Sequence, residues 1–349
     1  MAVYTTIDDA GLYFNSVKFT GDVVDGDGTY HDQAVTGVGF QPDLLWHKGV
    51  TGARPNYLVD SVRGQGGSPT NMLHLSSTNN EAEISENTNG HIKSLDSDGW
   101  TTVSGNDSSS RANNSNLNGE EYIGWCWKES ATAGFDMVGY EGTGSARTIS
   151  HSLSAVPHFM IFKNRERAVA WIVYHKHNLI AAPETDFLYL DTDAATNDDA
   201  GHFNDTAPTS SVFSVATAYG TNYSGEDIIA YLWSEKQGFS KFGSYEGNGN
   251  ANGTFVYTGF RPAFIMTKSV DSTSSWHMFD NKRLGYNVDN NPLTAQENTA
   301  AVTTDMIDIL SNGFKLRIAT DPNVAERYVY VACAEAPFVT SKGGPCNAR

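Results

Sequence analysis

The sequence predicts an all-β protein of three tandem, related antiparallel β-sandwich units, jelly-roll or lectin-like in character. Two observations carry that expectation: landmarks that recur three times in constant order, and short apolar runs of strand length separated by turn residues. The first landmark reads "VTGVGFQPDLLWHKGV" from Val35, "ISHSLSAVPHFMIFKN" from Ile149 and "FVYTGFRPAFIMTKSV" from Phe255. In each, a proline is followed six residues later by a lysine: Pro42 and Lys48, Pro157 and Lys163, Pro262 and Lys268. The second landmark aligns without gaps as "EEYIGWCWKE" from Glu120, "EDIIAYLWSE" from Glu226 and "ERYVYVACAE" from Glu326. A third opens a unit: "GFDMVGYEG" from Gly134, "GFSKFGSYEG" from Gly238 and, more loosely, "YFNSVKFTG" from Tyr13. The prolines lie 115 and 105 residues apart and the leading glutamates 106 and 100, the length of a small domain. The units are therefore placed at 1–131, 132–236 and 237–338, each long enough to close a core. Residues 339–349 form a C-terminal tail without a core-forming pattern, expected to be mobile or docked on a partner.

The third unit shows the element pattern most clearly. "GTFVY" and "AFIMT" are aromatic and β-branched runs separated by Gly259 and Pro262, and "WHMF", "MIDIL", "FKLRI" and "RYVYVAC" follow. "YVYVACA" is apolar on both parities, as a strand covered on both faces would be, whereas "FKLRI" alternates like a half-buried strand. Residues 165–182 have enough helix formers to suggest a helix, but their counterparts "SSWHMFDNKR" and "RPNYLVDSVR" are punctuated and strand-like, so a strand is expected there too. The linkers "SATA" and "KQ" are short, and the units are expected to abut.

With 23 basic against 40 acidic residues the net charge is -17, which disfavours nucleic acid and anionic membrane surfaces as partners. The three cysteines, Cys126, Cys333 and Cys346, build neither a disulfide framework nor a metal-type spacing. The start lacks the pattern of a secretory signal and no window approaches a membrane span, so secretion and membrane insertion are not expected. The sequons at Asn106, Asn114, Asn204, Asn222 and Asn252 then read as ordinary polar loops.

Nucleophile-elbow, zincin and P-loop patterns are absent from the sequence, and "EGNGNANGTF" has the wrong spacing for a dinucleotide fingerprint. Two acidic runs could offer oxygens to calcium, Asp22, Asp25 and Asp27 in one and Asp191, Asp193, Asp198 and Asp199 in the other, but neither has EF-hand spacing. Glu120 and Glu129 are about 30 Å apart along one strand, too far to share a scissile bond, and their recurrence suggests strand-end hydrogen bonds or ion pairs. Lys48, Lys163 and Lys268 are expected to reach solvent or those glutamates. His175 and His177 share a face but lack a supporting carboxylate or cysteine pattern for metal. Neither catalytic residues, nor a metal, nor a cofactor is expected. Trp125, Trp127, Trp171, Trp233 and Trp276 fall in strands and read as core. Tyr219, Tyr223 and Tyr286, flanked by glycine, asparagine and serine, are the candidates for solvent-facing contacts with glycans.

The segments "YTTIDDAGLYFN", "GVGFQPDLLWHK", "DSVRG", "FSKFGSYEGNGNANGTFVYTGFRPAFIMTK", "DILSNGFKLR" and "YVYVACAEAPF" resemble a family of virion proteins of tailed bacteriophages, especially those of marine bacteria and cyanobacteria. The resemblance spans nearly the whole chain and is strongest from Gly238 to Phe338. It implies a non-enzymatic structural protein assembled in the host cytoplasm onto the virion, as a tail-fibre-like adhesin or a capsid decoration protein. Other virion proteins and a host surface glycan are the implied partners, and a homo-oligomer, by default a trimer, the implied state. An extended fibre would carry an N-terminal anchor or coiled-coil stalk ahead of the repeats, which this sequence lacks; a compact attachment to head or tail is expected instead. The alternative is a polysaccharide-degrading tailspike, which would need a carboxylate pair assembled from different units.

Overall fold

The computed structural model describes residues 4–24, 31–64, 72–84, 88–105, 107, 110, 114–178, 181–284, 287 and 291–346. The first third of the chain contributes β1 (Phe14–Thr20), β2 (Asp32–Thr36), β3 (Leu44–Gly49), β4 (Asn56–Asp60), β5 (His74–Ser76), β6 (His91–Asp96), β7 (Gly99–Val103) and β8 (Glu121–Trp127). The second contributes β9 (Phe135–Glu141), β10 (Arg147–Ser150), β11 (Phe159–Asn164), β12 (Ile172–His175), β13 (Asp186–Tyr189), β14 (Asn197–Asp198), β15 (Val212–Val215) and β16 (Asp227–Trp233), with the short helices α1 (Ala200–Phe203) and α2 (Tyr219–Asn222). The third contributes β17 (Ser240–Glu246), β18 (Phe255–Tyr257), β19 (Phe260–Ser269), β20 (His277–Asp280), β21 (Leu293–Thr294), β22 (Ile307–Leu310), β23 (Gly313–Leu316) and β24 (Arg327–Pro337).

These strands make an all-β, antiparallel sandwich architecture. One strand order appears in each third: β1-β8-β3-β4-β5, then β9-β16-β11-β12-β13 with β14 added at the edge, then β17-β24-β19-β20-β21. Each large sheet is accompanied by a small one, β2-β7-β6, β10-β15 and β18-β23-β22. The proline-to-lysine segments are β3, β11 and β19, and the glutamate-bounded segments are β8, β16 and β24. Within residues 165–182 the strand β12 (Ile172–His175) forms, and the described residues of that stretch contain no α-helix.

The large sheets are covered on both faces, and the parity of each strand shows by what. On β11, Phe159 and Ile161 join the largest buried cluster, while Met160 and Phe162 join a cluster local to the second third. On β16, Ile229, Tyr231 and Trp233 point one way and Ala230 and Leu232 the other. On β3, Leu44 and Trp46 go to the largest cluster and Leu45 to one local to the first third. Successive side chains of a strand leave on opposite faces, so an apolar run on both parities is what two-sided burial requires. The small sheets have one wet face: Lys315 points outward from β23 between buried Phe314 and Leu316.

The largest cluster takes residues from all three thirds, so the inner faces of the large sheets share one core. Trp127, Trp233 and Phe264, one from each third, meet at its centre: the two indoles are 6.1 Å apart and Trp127 stands 5.7 Å from Phe264. Hydrogen bonds close this arrangement into a ring. Trp171 Nε1 donates to Ser76 O at 3.0 Å and Asn79 O at 3.1 Å, from the second third to the first. Trp276 Nε1 donates to Tyr189 O at 2.7 Å, from the third to the second. Asn56 Nδ2 donates to Ala295 O at 3.0 Å and Thr294 O at 3.2 Å, from the first to the third. Each donor stands at or just before the start of the fourth strand of its large sheet, and its acceptors lie at or just past the end of a fifth. Both termini reinforce the closure: Tyr4 donates to Gly259 O at 2.5 Å, and in the tail Ser341 N donates to Asp8 Oδ1 at 2.6 Å.

A clamp that the sequence reading missed sits at the other end of each large sheet. Asn116, Asn222 and Asn323 are fully buried. Their side-chain oxygens accept from the loop that follows the first strand of each third: Asp22 N at 3.1 Å, Thr143 N at 3.0 Å and Asn248 N at 3.2 Å. Beside them Gly21, Gly142 and Gly247 lie so close to the opposite chain that a Cβ would stand 2.3, 2.0 and 1.9 Å from a carbonyl oxygen. Asn222, read from the sequence as part of a sequon in a polar loop, is thus a buried structural residue of α2.

The recurrent lysines also differ from expectation. Lys48, Lys163 and Lys268 are buried and reach neither solvent nor the glutamate carboxylates. Lys48 Nζ donates to Glu297 O (2.6 Å) and Arg54 O (2.8 Å), Lys163 Nζ to Asn164 O (2.8 Å) and Arg167 O (3.0 Å), and Lys268 Nζ to Ser269 O (2.7 Å). An ammonium with three donors can gather the carbonyls of the tight loop after its strand, and at Lys48 also one from the last third of the chain, which a buried backbone would otherwise leave unpaired. Burial pushes the three ammonium groups down, to about 7 for Lys48 and about 8 for Lys163 and Lys268.

Candidate functional site

Two of the three tyrosines singled out for glycan contact come together; Tyr286 lies outside the described residues. Tyr219 opens α2 and is 58% exposed, and Tyr223 follows the helix. Their rings meet edge to face at 4.7 Å. The Arg167 guanidinium lies over both, 4.3 Å from the Tyr223 ring and 5.6 Å from the Tyr219 ring. Cation–π attraction and a two-point ion pair hold it there: Arg167 Nε is 3.0 Å from Glu226 Oε1, and Glu226 Oε2 accepts from Asn164 Nδ2 at 2.6 Å. Arg167 holds the Glu226 carboxyl below its usual range.

The backbone beneath is fixed from three sides. Asn164 Nδ2 donates to Tyr219 O at 3.0 Å, Tyr140 OH to Thr221 O at 2.6 Å and Asn222 Nδ2 to Ser145 O at 2.7 Å. Gly220 packs so tightly on Ile172 that a Cβ would stand 2.7 Å from its side chain. Tyr219 borders a cleft of about 360 Å³ that also presents Tyr189, Asp199 and His202. Burial pushes the His202 imidazole down to about 4, with Asp199 opposing, so it is neutral at neutral pH. The result is a rigid aromatic platform with a guanidinium, a carboxylate and backbone groups at its edge. Sequence reasoning found the tyrosines from their polar surroundings but missed Arg167, Glu226 and Asn164, which are distant in the chain.

The other candidate groups resolve into structural roles. Glu120 pairs with Arg54, whose Nε is 2.9 Å from Glu120 Oε2; Glu335 pairs with Arg261; and Glu326 Oε1 accepts from Ser272 at 2.7 Å. His175 has both ring nitrogens engaged, Nδ1 accepting from His177 N at 3.1 Å and Nε2 3.1 Å from Tyr330 O, which leaves no lone pair for a metal. Asp191 and Asp199 spend an oxygen each on Trp171 N and Gly201 N; Asp25 and Asp27 lie outside the described residues. Among the described residues there is no group of three histidine, cysteine or carboxylate side chains placed to hold a metal ion.

Two further clusters have a catalytic look and the wrong wiring. Ser274, Asp321 and His277 meet, but the carboxylate lies between the other two: Ser274 Oγ is 2.8 Å from Asp321 Oδ1, and His277 Nε2 is 2.9 Å from Oδ2. The serine therefore donates to the aspartate and has no imidazole base. Glu129 and Asp136, from different thirds, are electrostatic neighbours: burial first, then Asp136, pushes the Glu129 carboxyl up to about 7. Both Asp136 oxygens are taken by backbone N–H groups, Oδ1 by Met137 N at 3.1 Å and Oδ2 by Ser152 N at 2.5 Å.

The fold and site together define a class: a closed ring of β-sandwiches around one shared core, carrying a preformed tyrosine–arginine platform on its surface. The chain belongs to the family described as a domain of unknown function, DUF7483, whose pattern it matches over residues 9–337. No curated protein matches it.

Proposed function

We propose that this chain is a non-enzymatic structural protein on the surface of a tailed-bacteriophage particle, and that it acts as an adhesin contacting host glycans through Tyr219, Tyr223 and Arg167. The observation that carries the glycan part is the exposed Tyr219 ring, locked from below by hydrogen bonds to its own backbone and bordered by Glu226 and Arg167. A sugar ring lays its C–H face on an aromatic and its hydroxyls on charged acceptors and donors, and a preordered platform lowers the entropy cost of that contact. The virion part rests on the sequence resemblance, and the closed ring supplies the rigid body a particle projection needs. The acidic surface, at net charge -17, suits a protein that must not adhere to nucleic acid during assembly.

Immunogold electron microscopy of purified particles, with binding of the purified chain to host cells, tests both parts. Gold label is expected on the particle surface, and Tyr219→Ala with Arg167→Ala should lower cell binding about tenfold. Absence of the chain from purified particles refutes the virion assignment. Unchanged cell binding by the double variant refutes the platform.

A further inference from the structure

A second cleft, of about 520 Å³, opens between the second and third thirds of the chain and shares no residue with the tyrosine platform. Its volume is in the range of small-molecule sites. Lys176, Lys241, His158 and Glu235 line it, with Phe255 and Tyr257 at its side.

The aromatic wall comes from β18, where side chains alternate: Val256 is buried and its neighbours point out, Phe255 46% and Tyr257 51% exposed. Residues i and i+2 of a strand share a face about 6.6 Å apart, so the two rings stand side by side. The Tyr257 hydroxyl lies beside Gly259 together with the hydroxyl of Tyr4, which donates to Gly259 O at 2.5 Å.

The charged wall is under-satisfied. Burial, then the adjacent Lys176 ammonium, holds the His158 imidazole below its usual range, so the ring is neutral at neutral pH. The backbone N–H of Glu235 donates to His158 Nδ1 at 3.2 Å. The Lys176 ammonium stands 3.2 Å from His158 Nε2, and a neutral imidazole offers it no opposite charge. Lys241 has only a loose contact with Glu235, at 3.9 Å, through side chains about a third exposed. Two lysines against one carboxylate make this cleft locally positive on a chain of net charge -17.

A free phosphate would use the lysines and leave the rings idle. A neutral sugar would use the rings and bring no anion to the Lys176 ammonium. We propose that the cleft binds an acidic oligosaccharide of the uronate type, its carboxylate between Lys176 and Lys241 and its sugar face on Tyr257 and Phe255. The site stands independently of the tyrosine platform, and its failure leaves that reading untouched.

Isothermal titration of the full chain with tetragalacturonate at low salt tests this, with maltotetraose and inorganic phosphate as comparison probes. Tetragalacturonate is expected to bind about tenfold or more tightly than either, and to lose about tenfold in affinity in Lys176→Gln/Lys241→Gln and again in Tyr257→Ala. Raising the salt should weaken it, as screening of exposed charges requires. Arg167→Ala should bind like the parent. The lysines are solvent-accessible, so a matching thermal midpoint verifies that the variants fold. No binding at millimolar concentration, equal binding of maltotetraose, or unchanged affinity in the lysine variant overturns the proposal. An equal loss in Arg167→Ala does so as well, by assigning the ligand to the tyrosine platform.

Discussion

Trp171 shows how much one side chain decides here. Its indole N–H is shared between Ser76 O and Asn79 O in another third of the chain, and nothing local reveals this. Trp171→Phe keeps most of the apolar surface and strands those carbonyls, so it should cost about 1–3 kcal/mol, read as a lower denaturant midpoint at unchanged slope. The buried lysines make a prediction of the opposite kind. Lys48 is held at about 7 in the folded chain against an ordinary 10.5, so between those values the unfolded state binds more protons and stability rises with pH. Denaturant midpoints should climb between about pH 7.5 and 9.5, and Lys48→Met should flatten that slope. A slope unaffected by the substitution would mean the ammonium is not titrating in the folded state. Lysine at the end of an apolar run was visible in the sequence; that its partners are backbone carbonyls was not, because a carbonyl acceptor leaves no mark on residue type.

At the level of elements, strand character was legible because it is written in residue type and spacing. The runs at β3, β11, β19 and β24 are short, β-branched or aromatic, and bounded by glycine and proline. Two-sided burial was legible too, from the double-parity apolar run in β24. What covers each face was not. The parity that carries Trp127 and Trp233 faces the other sheets, while the parity that carries Cys126 and Leu232 faces the small sheet of its own third. Trp127→Ala should therefore behave as a defect of the whole ring, costing about 3–5 kcal/mol of global stability. Hydrogen exchange should show the loss in protected amides of all three large sheets; protection lost only in the first third would place this indole in a local core. The short helices α1 and α2 escaped the sequence reading, since four residues hold too little periodicity to register.

For the whole molecule, a core common to all three thirds implies one cooperative unit. Calorimetry should give a single unfolding transition; two separated peaks would contradict a shared core. The same burial sets an acid limit. His47, His74 and His175 are pushed down to about 3, and His202 to about 4, in each case chiefly by burial. A depressed imidazole contributes stability above its unfolded value near 6.5 that is lost as pH falls toward its folded value. One unit below 6.5 each loses about 1.4 kcal/mol, and the four together about 5–6 kcal/mol, comparable with the entire stability of many domains. Glu129, raised and half-buried, opposes this between about 4.5 and 7 as a single, screened group. Tryptophan fluorescence should show unfolding between about pH 4 and 5.5, and a chain still folded at pH 4 would refute the neutral burial of these imidazoles.

By itself the sequence determined that this protein is built of antiparallel strands, that its landmarks recur, and that Tyr219 and Tyr223 sit in polar surroundings. These are properties of residue type and near-neighbour spacing, which the backbone reads locally. Only the tertiary structure decided that the three large sheets share one core, that Asn56, Trp171 and Trp276 close a ring, and that Arg167 and Glu226 complete the tyrosine platform. Those are contacts between residues far apart in the chain, and their free energy exists only once water has been expelled from between the sheets.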